Sequence, residues 1–299
     1  MDTSTNPAAT AAERIAQPVV DALRTAREAS LRYRGMATLH YLMRTEVHTY
    51  AFSVAANAIL AFFPFIVLLM TLTRKVFRSQ AMYDVVVQLL RDFLPTGQDF
   101  IVRNLSILVN ARKGVQVASL LILLFTSSGV FLPLEVALNR VWGIEKNRSY
   151  LGNQIISLAL AFAVGLLALI SIAFTAGNHL LIDAAFADNS VLARTLTSLV
   201  TKVFAMAASI GIFFLIYWLL PNAKIPARKV VPAAFATGIL WEAAKYIYIG
   251  ALPWLDFKEV YGPFALSVTL MFWAFLSGLL LLGGAFLSAE SAEKDLLQL

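Results

Sequence analysis

The sequence predicts an all-α fold: a polytopic membrane helix bundle with six transmembrane helices and short interfacial amphipathic helices. Three observations predict it. First, 59% of the 299 residues are hydrophobic and only 14% are charged, against about 25% charged in a typical soluble domain. The mean hydropathy is +0.74. A chain this apolar cannot cover its surface with polar groups in water, and lipid as the solvent removes that need. Second, six separate runs reach the roughly 20 apolar residues that a helix needs to cross a bilayer. Third, the longer connections place apolar residues at helical spacing on otherwise polar stretches, as surface-lying helices do.

In chain order, residues 1–35 form a polar, Ala-rich tail in which Arg14, Arg24, Arg27, Arg32 and Arg34 mix with Glu13, Asp21 and Glu28. The opening "MDTSTNPAATAAERIAQPVV" has no apolar core, so it does not read as a cleaved secretory signal. "GMATLHYLMRTEVHTY" (Gly35–Tyr50) spaces Leu39, Leu42 and Met43 as an interfacial helix entering the membrane. A six-helix domain over 36–290 follows, with spans at about 50–72, 115–137, 154–176, 199–220, 230–251 and 264–289. Residues 73–114 contain "YDVVVQLLRDFLP" and "GQDFIVRNLSILVN", which predict two short amphipathic helices on the membrane. Residues 177–198 are expected to do likewise, and 291–299 to form a short C-terminal tail.

Lys and Arg in the loops set orientation. The 138–152 loop has Arg140, Lys146 and Arg148, and the 221–229 loop has Lys224, Arg228 and Lys229, whereas 177–198 has only Arg194 and 252–263 only Lys258. This predicts a multi-pass protein with both termini in the cytoplasm. The 73–114 loop opposes it with seven basic residues, and the other loops outweigh it. The formal net charge of +6 is expected to serve anionic lipid headgroups rather than nucleic acid.

The residues with chemical potential are few. Glu242 and Lys245 lie inside the fifth span, where a charge costs about 2.5–3.5 kcal/mol on insertion scales. Three residues apart, they share one helix face and can pair. Either they line a polar cavity, a proton-coupling site or a headgroup site, or they lock the fifth helix to its neighbours. Asn57 in the first span needs a hydrogen-bond partner out of water, and Pro64 removes a backbone donor and predicts a kink. Ser127, Ser128, Gly129 and Pro133 mark a weak point or close packing in the second span. Glu135, Asn139 and Arg140 follow at its end, and Arg140 and Arg148 read as phosphate ligands or topology anchors. Tyr217–Pro232 is a stiff, basic turn. Gly284 with Ser288, and Ala285 with Ala289, permit close helix approach within the bundle or between copies in a homo-oligomer.

Enzyme signatures are missing. There is no cysteine, and His40, His48 and His179 are scattered. No phosphate loop or nucleophile elbow occurs. The expectation is a non-enzymatic protein with no catalytic residue, no metal and no cofactor.

Four stretches together resemble the YihY/BrkB family of bacterial inner-membrane proteins, some of which carry an old ribonuclease BN label. They are "ANAILAFFPFIVLL", "PLEVALNRVWGIEKNRSY", "LIYWLLPNAKIPARKVVPAAFATGILWEAAKY" and "VYGPFALSVTLMFWAFLSGLLLLGGAFLSAE". The resemblance implies six helices with both termini inside, and no established reaction. It implies links to envelope integrity, serum resistance and proposed transport of lipids or solutes. It maps onto Asn139, Arg140, Tyr217, Pro221, Asn222, Trp241, Glu242, Lys245, Tyr261, Gly262, Gly284 and Ala285. Ala233 departs from the pattern, where many relatives have glycine. The expected path residues are Glu242, Lys245, Trp241, Asn57, Pro64, Asn139, Arg140, Tyr217 and Tyr261. The expected role is transport or handling of a lipid or small solute. The alternative is a scaffold for envelope integrity, and ribonuclease activity is disfavoured.

Overall fold

The computed structural model describes residues 35–93, 98–109, 113–146, 148–185 and 191–297. Among these residues the secondary structure is helical, without strands. The helices are α1 (residues 35–42), α2 (Thr45–Thr71), α3 (Gln80–Phe93), α4 (Gln98–Val109), α5 (Lys113–Val141), α6 (Tyr150–Ala185), α7 (Val191–Leu219), α8 (Ala227–Leu255), α9 (Phe257–Tyr261) and α10 (Ala265–Leu297). Each of the six apolar windows falls on one of α2, α5, α6, α7, α8 and α10. The predicted tail over 1–35 lies outside the described residues except for Gly35.

The helix ends follow local chemistry. Arg44 is extended, with ψ 135°, and separates α1 from α2. Gly143, at φ +65°, ends α5, and the Ile144 amide reaches back 2.8 Å to the Asn139 carbonyl. This is the left-handed exit that glycine provides at a helix C-terminus. Pro226 is extended before α8. Asp256 turns left-handed after α8, and its carboxylate accepts the Glu259 amide to start α9. A π-helical turn, Leu72–Val76, continues α2.

The six long helices close into a ring in the order α2, α5, α6, α7, α8, α10 and back to α2. Chain direction alternates around it, which gives the ring two ends. One end carries the α5–α6 connection, the α7–α8 connection and the start of α2. The other carries α3, α4 and α9. Two apolar clusters correspond to these ends. The larger involves Val47, Leu134, Leu138, Tyr217, Leu220 and Leu282. The smaller joins Met70 of α2 and Ile172 of α6 to α3 and α4.

Four described helical segments are long and apolar enough to cross a membrane: Thr45–Val76, Tyr150–Gly177, Ser198–Leu219 and Phe257–Ala289. α5 and α8 have the length, 29 residues each. α8 is less apolar because it carries Glu242 and Lys245 at mid-length. Large apolar side chains such as Leu60, Phe162, Ile170, Phe235 and Ile247 are exposed on the outside of the bundle, where lipid is the solvent that suits them.

One expectation needs correction. The described parts of 177–198 extend the neighbouring long helices instead of forming a separate surface helix. α6 runs on to Ala185 and α7 starts at Val191, because apolar spacing continues past the predicted ends. Over the segment expected to be a short C-terminal tail, α10 continues as far as Leu297. "SAEKDLL" lacks the Gly or Pro that would stop α10.

Candidate functional site

Glu242 and Lys245 lie on the inward face of α8, and both are buried. They form an ion pair one turn apart. The face points inward because α8 is pressed against two neighbours. A Cβ on Gly238 would meet Ile210 Cγ1 at 2.5 Å and the Ile210 backbone at 3.1 Å. A Cβ on Gly284 of α10 would collide with Thr237 and Tyr217. Only glycine permits these approaches. Glu242 is one turn beyond Gly238, so the contact with Ile210 brings it to the neighbouring Ser209.

The Ser209 hydroxyl lies 2.8 Å from Glu242 Oε1 and 3.0 Å from the Ala205 carbonyl. It has one proton, and donation to the carboxylate is the stronger choice because the acceptor is charged. Lys245 occupies the other carboxylate oxygen. Its ammonium also sits 5.3 Å from the Trp241 ring and 5.2 Å from the Tyr246 ring, within cation–π range. Trp241 donates Nε1–H to Ser277 Oγ at 2.9 Å and packs on Trp273 at 5.6 Å between centroids. Trp273 stacks in turn on Tyr248 at 5.0 Å. An aromatic wall thus fixes the rotamer of Trp241 beside the charges.

This wall faces a cavity of about 320 Å³. Phe62, Phe65, Ile66 and Leu69 line it from α2, and Val86, Leu89 and Leu90 from α3. Ala168, Ser171 and Ile172 come from α6, and Ala205, Ala208, Ser209 and Ile212 from α7. The alanines leave the space open. Trp241, Glu242 and Lys245 complete the lining. The chamber is therefore hydrocarbon on nearly every side and charged at one place.

The other expected path residues lie elsewhere. Pro64 stands between Phe62 and Phe65, two of the chamber walls, but is not itself in the lining. Asn57 donates to the Ser53 carbonyl of its own helix at 2.9 Å. The α5 backbone approaches closely there, since a Cβ on Gly129 would strike the Asn57 carboxamide. Tyr217 is fully buried and donates to the Leu281 carbonyl at 2.8 Å, with Thr237 Oγ1 3.2 Å away. It packs α7 against α8 and α10. Tyr261 is exposed on α9, at the far end.

Asn139 and Arg140 belong to a second polar centre, at the α5–α6 end. The Asn139 carboxamide oxygen accepts the Asn222 amide at 2.7 Å. Arg140 is exposed, pairs with Glu46 at 2.9 Å and reaches the Tyr50 hydroxyl at 3.5 Å. That hydrogen bond first, and the Glu46 carboxylate second, raise the guanidinium pKa. Arg140, Glu46 and Tyr50, but not Asn139, line a smaller cavity of about 120 Å³ with Tyr41 and Arg44, and burial pushes the Tyr41 phenol up to about 12. Arg148 does not face outward for phosphate. It donates to the carbonyls of Leu220 at 2.6 Å, Pro221 at 2.8 Å and Leu219 at 3.2 Å. It thereby satisfies acceptors left open where α7 ends.

Ser209, Ser277 and Trp273 were not among the expected site residues. One signal could have found Ser209: it is a small polar residue deep in the fourth apolar window, at a depth similar to Glu242 in the fifth. Among the described residues, no three His, Cys, Asp or Glu side chains gather into a possible metal site.

A family model described as "Virulence factor BrkB" matches residues 38–297. A UPF0761 membrane protein of Pseudoalteromonas atlantica is 26% identical over 258 residues, covering 84% of this chain and 83% of that protein. A UPF0761 membrane protein of Pseudomonas paraeruginosa is 25% identical over 211 residues. That match covers 69% of this chain and 49% of the relative, so the chain spans about half the length of that protein. No solved structure matches the chain. The chain belongs to the BrkB family and is a multi-pass membrane protein.

Proposed function

We propose that this BrkB-family membrane protein crosses the bacterial inner membrane six times and moves or handles a lipid or small solute of the envelope. On this reading α5 and α8 span alongside the four more apolar segments, since each of the six closes the same ring. Both termini face the cytoplasm. The supporting observation is the charge of the short connections: Arg140, Lys146, Lys224, Arg228 and Lys229 lie at the α5–α6 end and outweigh Arg74, Lys75, Arg78, Arg91 and Arg103 at the other end on this reading, since positive residues favour the cytoplasmic side. No catalytic step is assigned.

The observation that carries the functional reading is the Glu242–Lys245 pair on the wall of an apolar chamber, at mid-length in a membrane helix. Ionisable groups at such depth mark pathways or binding sites more often than packing. The test is flux of lipid and of small solutes in proteoliposomes. The charge swap Glu242→Lys with Lys245→Glu, and Glu242→Gln alone, should each lower flux at least tenfold. Full flux in every variant would remove the pair from the path.

One observation favours the scaffold reading. Ser209 and Lys245 already occupy both Glu242 oxygens, as a folding lock would require. A pure lock predicts that single-charge variants fail to accumulate and that Glu242→Leu with Lys245→Leu restores both the protein and its envelope phenotype.

A further inference from the structure

We propose that the chamber holds the hydrocarbon chain of a lipid drawn from the surrounding bilayer, with the polar end of that molecule against Glu242 and Lys245. The inference rests on the reading of that site given above and narrows its substrate class.

The wall composition decides between a chain and a hydrophilic solute. Polar lining is confined to Ser171, Ser209, Glu242 and Lys245, and the rest is aliphatic, aromatic or alanine. Ser209 and Glu242 already bond to each other, and Glu242 to Lys245. A hydrophilic solute would surrender its water and meet hydrocarbon over most of its surface, a cost that unreplaced hydrogen bonds make large. An alkyl chain surrenders nothing on entry, because it leaves lipid for a similar surface. Its gain is close contact with the walls. The volume of about 320 Å³ is many times what one water needs, enough for a substantial part of an acyl chain. Charge complementarity then sets the direction. The acid–base pair is the one charged place on the wall, so the headgroup end lies there and the chain runs toward α3.

α3 gives this a route. It is amphipathic, with Val86 and Leu90 buried against α2 and α6, and it supplies Leu89 to the chamber lining while that residue stays partly exposed.

The experiment uses the full chain in vesicles of phosphatidylethanolamine and phosphatidylglycerol. A fraction of the phosphatidylethanolamine carries a diazirine at mid-chain. After irradiation and digestion, adducts are mapped by mass spectrometry. The expected result is labelling at Phe65 and Ile212, reduced at least fivefold by Ala208→Phe, which fills the chamber. Labelling at lipid-facing Phe162 should not change. The milder Ala208→Val, expected to halve chamber labelling, covers the case in which the phenylalanine variant does not fold. A diazirine-bearing zwitterionic amino acid in the aqueous phase is the second probe. If the lipid leaves the chamber unlabelled while the amino acid labels it, and Glu242→Gln abolishes that labelling, the acyl chain is wrong and the site stands. If neither probe labels the chamber, both fall.

Discussion

Glu135 with half-buried Arg148, and buried Glu242 with Lys245, are two acid–base pairs in one bundle with different surroundings. Arg148 spends its donors on the backbone: three carbonyls after α7, with Glu135 3.8 Å away as counter-charge. Its own amide donates to Glu135 at 3.2 Å. These contacts tie α5, the α5–α6 connection and the end of α7 together. The Glu242–Lys245 pair sits within one helix and bonds to Ser209 of α7. It faces the chamber. The first pair reaches between elements, whereas the second is held within its own element and faces space, which on the proposed function suits a ligand.

The largest test of that contrast is Arg148→Ala. It leaves the helix-end carbonyls without their donor and buried Glu135 without its counter-charge, with only the residue-148 amide still donating to it, and breaking such a pair costs about 3–5 kcal/mol. Melting in detergent should show a large drop or no folded protein. Arg148→Lys should recover only part, because an ammonium cannot reproduce the planar fork. A loss below about 1 kcal/mol would break the assignment of Arg148 as a brace.

The chamber pair should behave less severely. Glu242→Gln keeps an acceptor for Ser209 but removes the counter-charge of buried Lys245, so a cost near the lower end of about 3–5 kcal/mol is expected. Glu242→Leu with Lys245→Leu should fold about as well as the parent, since apolar replacement of a buried pair is often neutral or stabilising. It should still lose flux. A stable, active double-leucine protein would overturn the contrast.

Gly284→Ala probes the contact that turns the α8 face inward. The added methyl meets Thr237 and Tyr217, and overpacking of this kind costs about 1–3 kcal/mol. Thermal melting reads the cost, and Tyr217→Phe in the same chain should relieve part of it by removing the hydroxyl in the way.

Much of this contrast was legible in the sequence, and the illegible part has a physical cause. Period and length placed the six long helices, because apolar runs of that size have few alternatives. The pairing of Glu242 with Lys245 followed from their spacing on one helix. Their neighbours did not: Ser209 and Ser277 are common residues in apolar helices, and only the ring order brings them to Trp241 and Glu242. The role of Arg148 was hidden for the same reason, since backbone carbonyls leave no trace in side-chain patterns. Asn139 and Arg140 are adjacent in sequence but differ in burial, Asn139 packed against Asn222 and Arg140 facing outward. Grouping them with the chamber residues joined two regions that the fold keeps at different depths.

Arg140 provides the smallest and sharpest test. Its side chain and that of Glu46 are exposed by 62% and 56%, so water screens the pair and the expected contribution is about 0–1 kcal/mol. A double-mutant cycle of Arg140→Ala and Glu46→Ala should therefore give a coupling within that range, falling further as salt rises. Arg140 shares no partner with the chamber, so flux should be unchanged. A flux defect without a stability defect would place the α5–α6 end on the substrate's route and make the second polar centre a site rather than a brace.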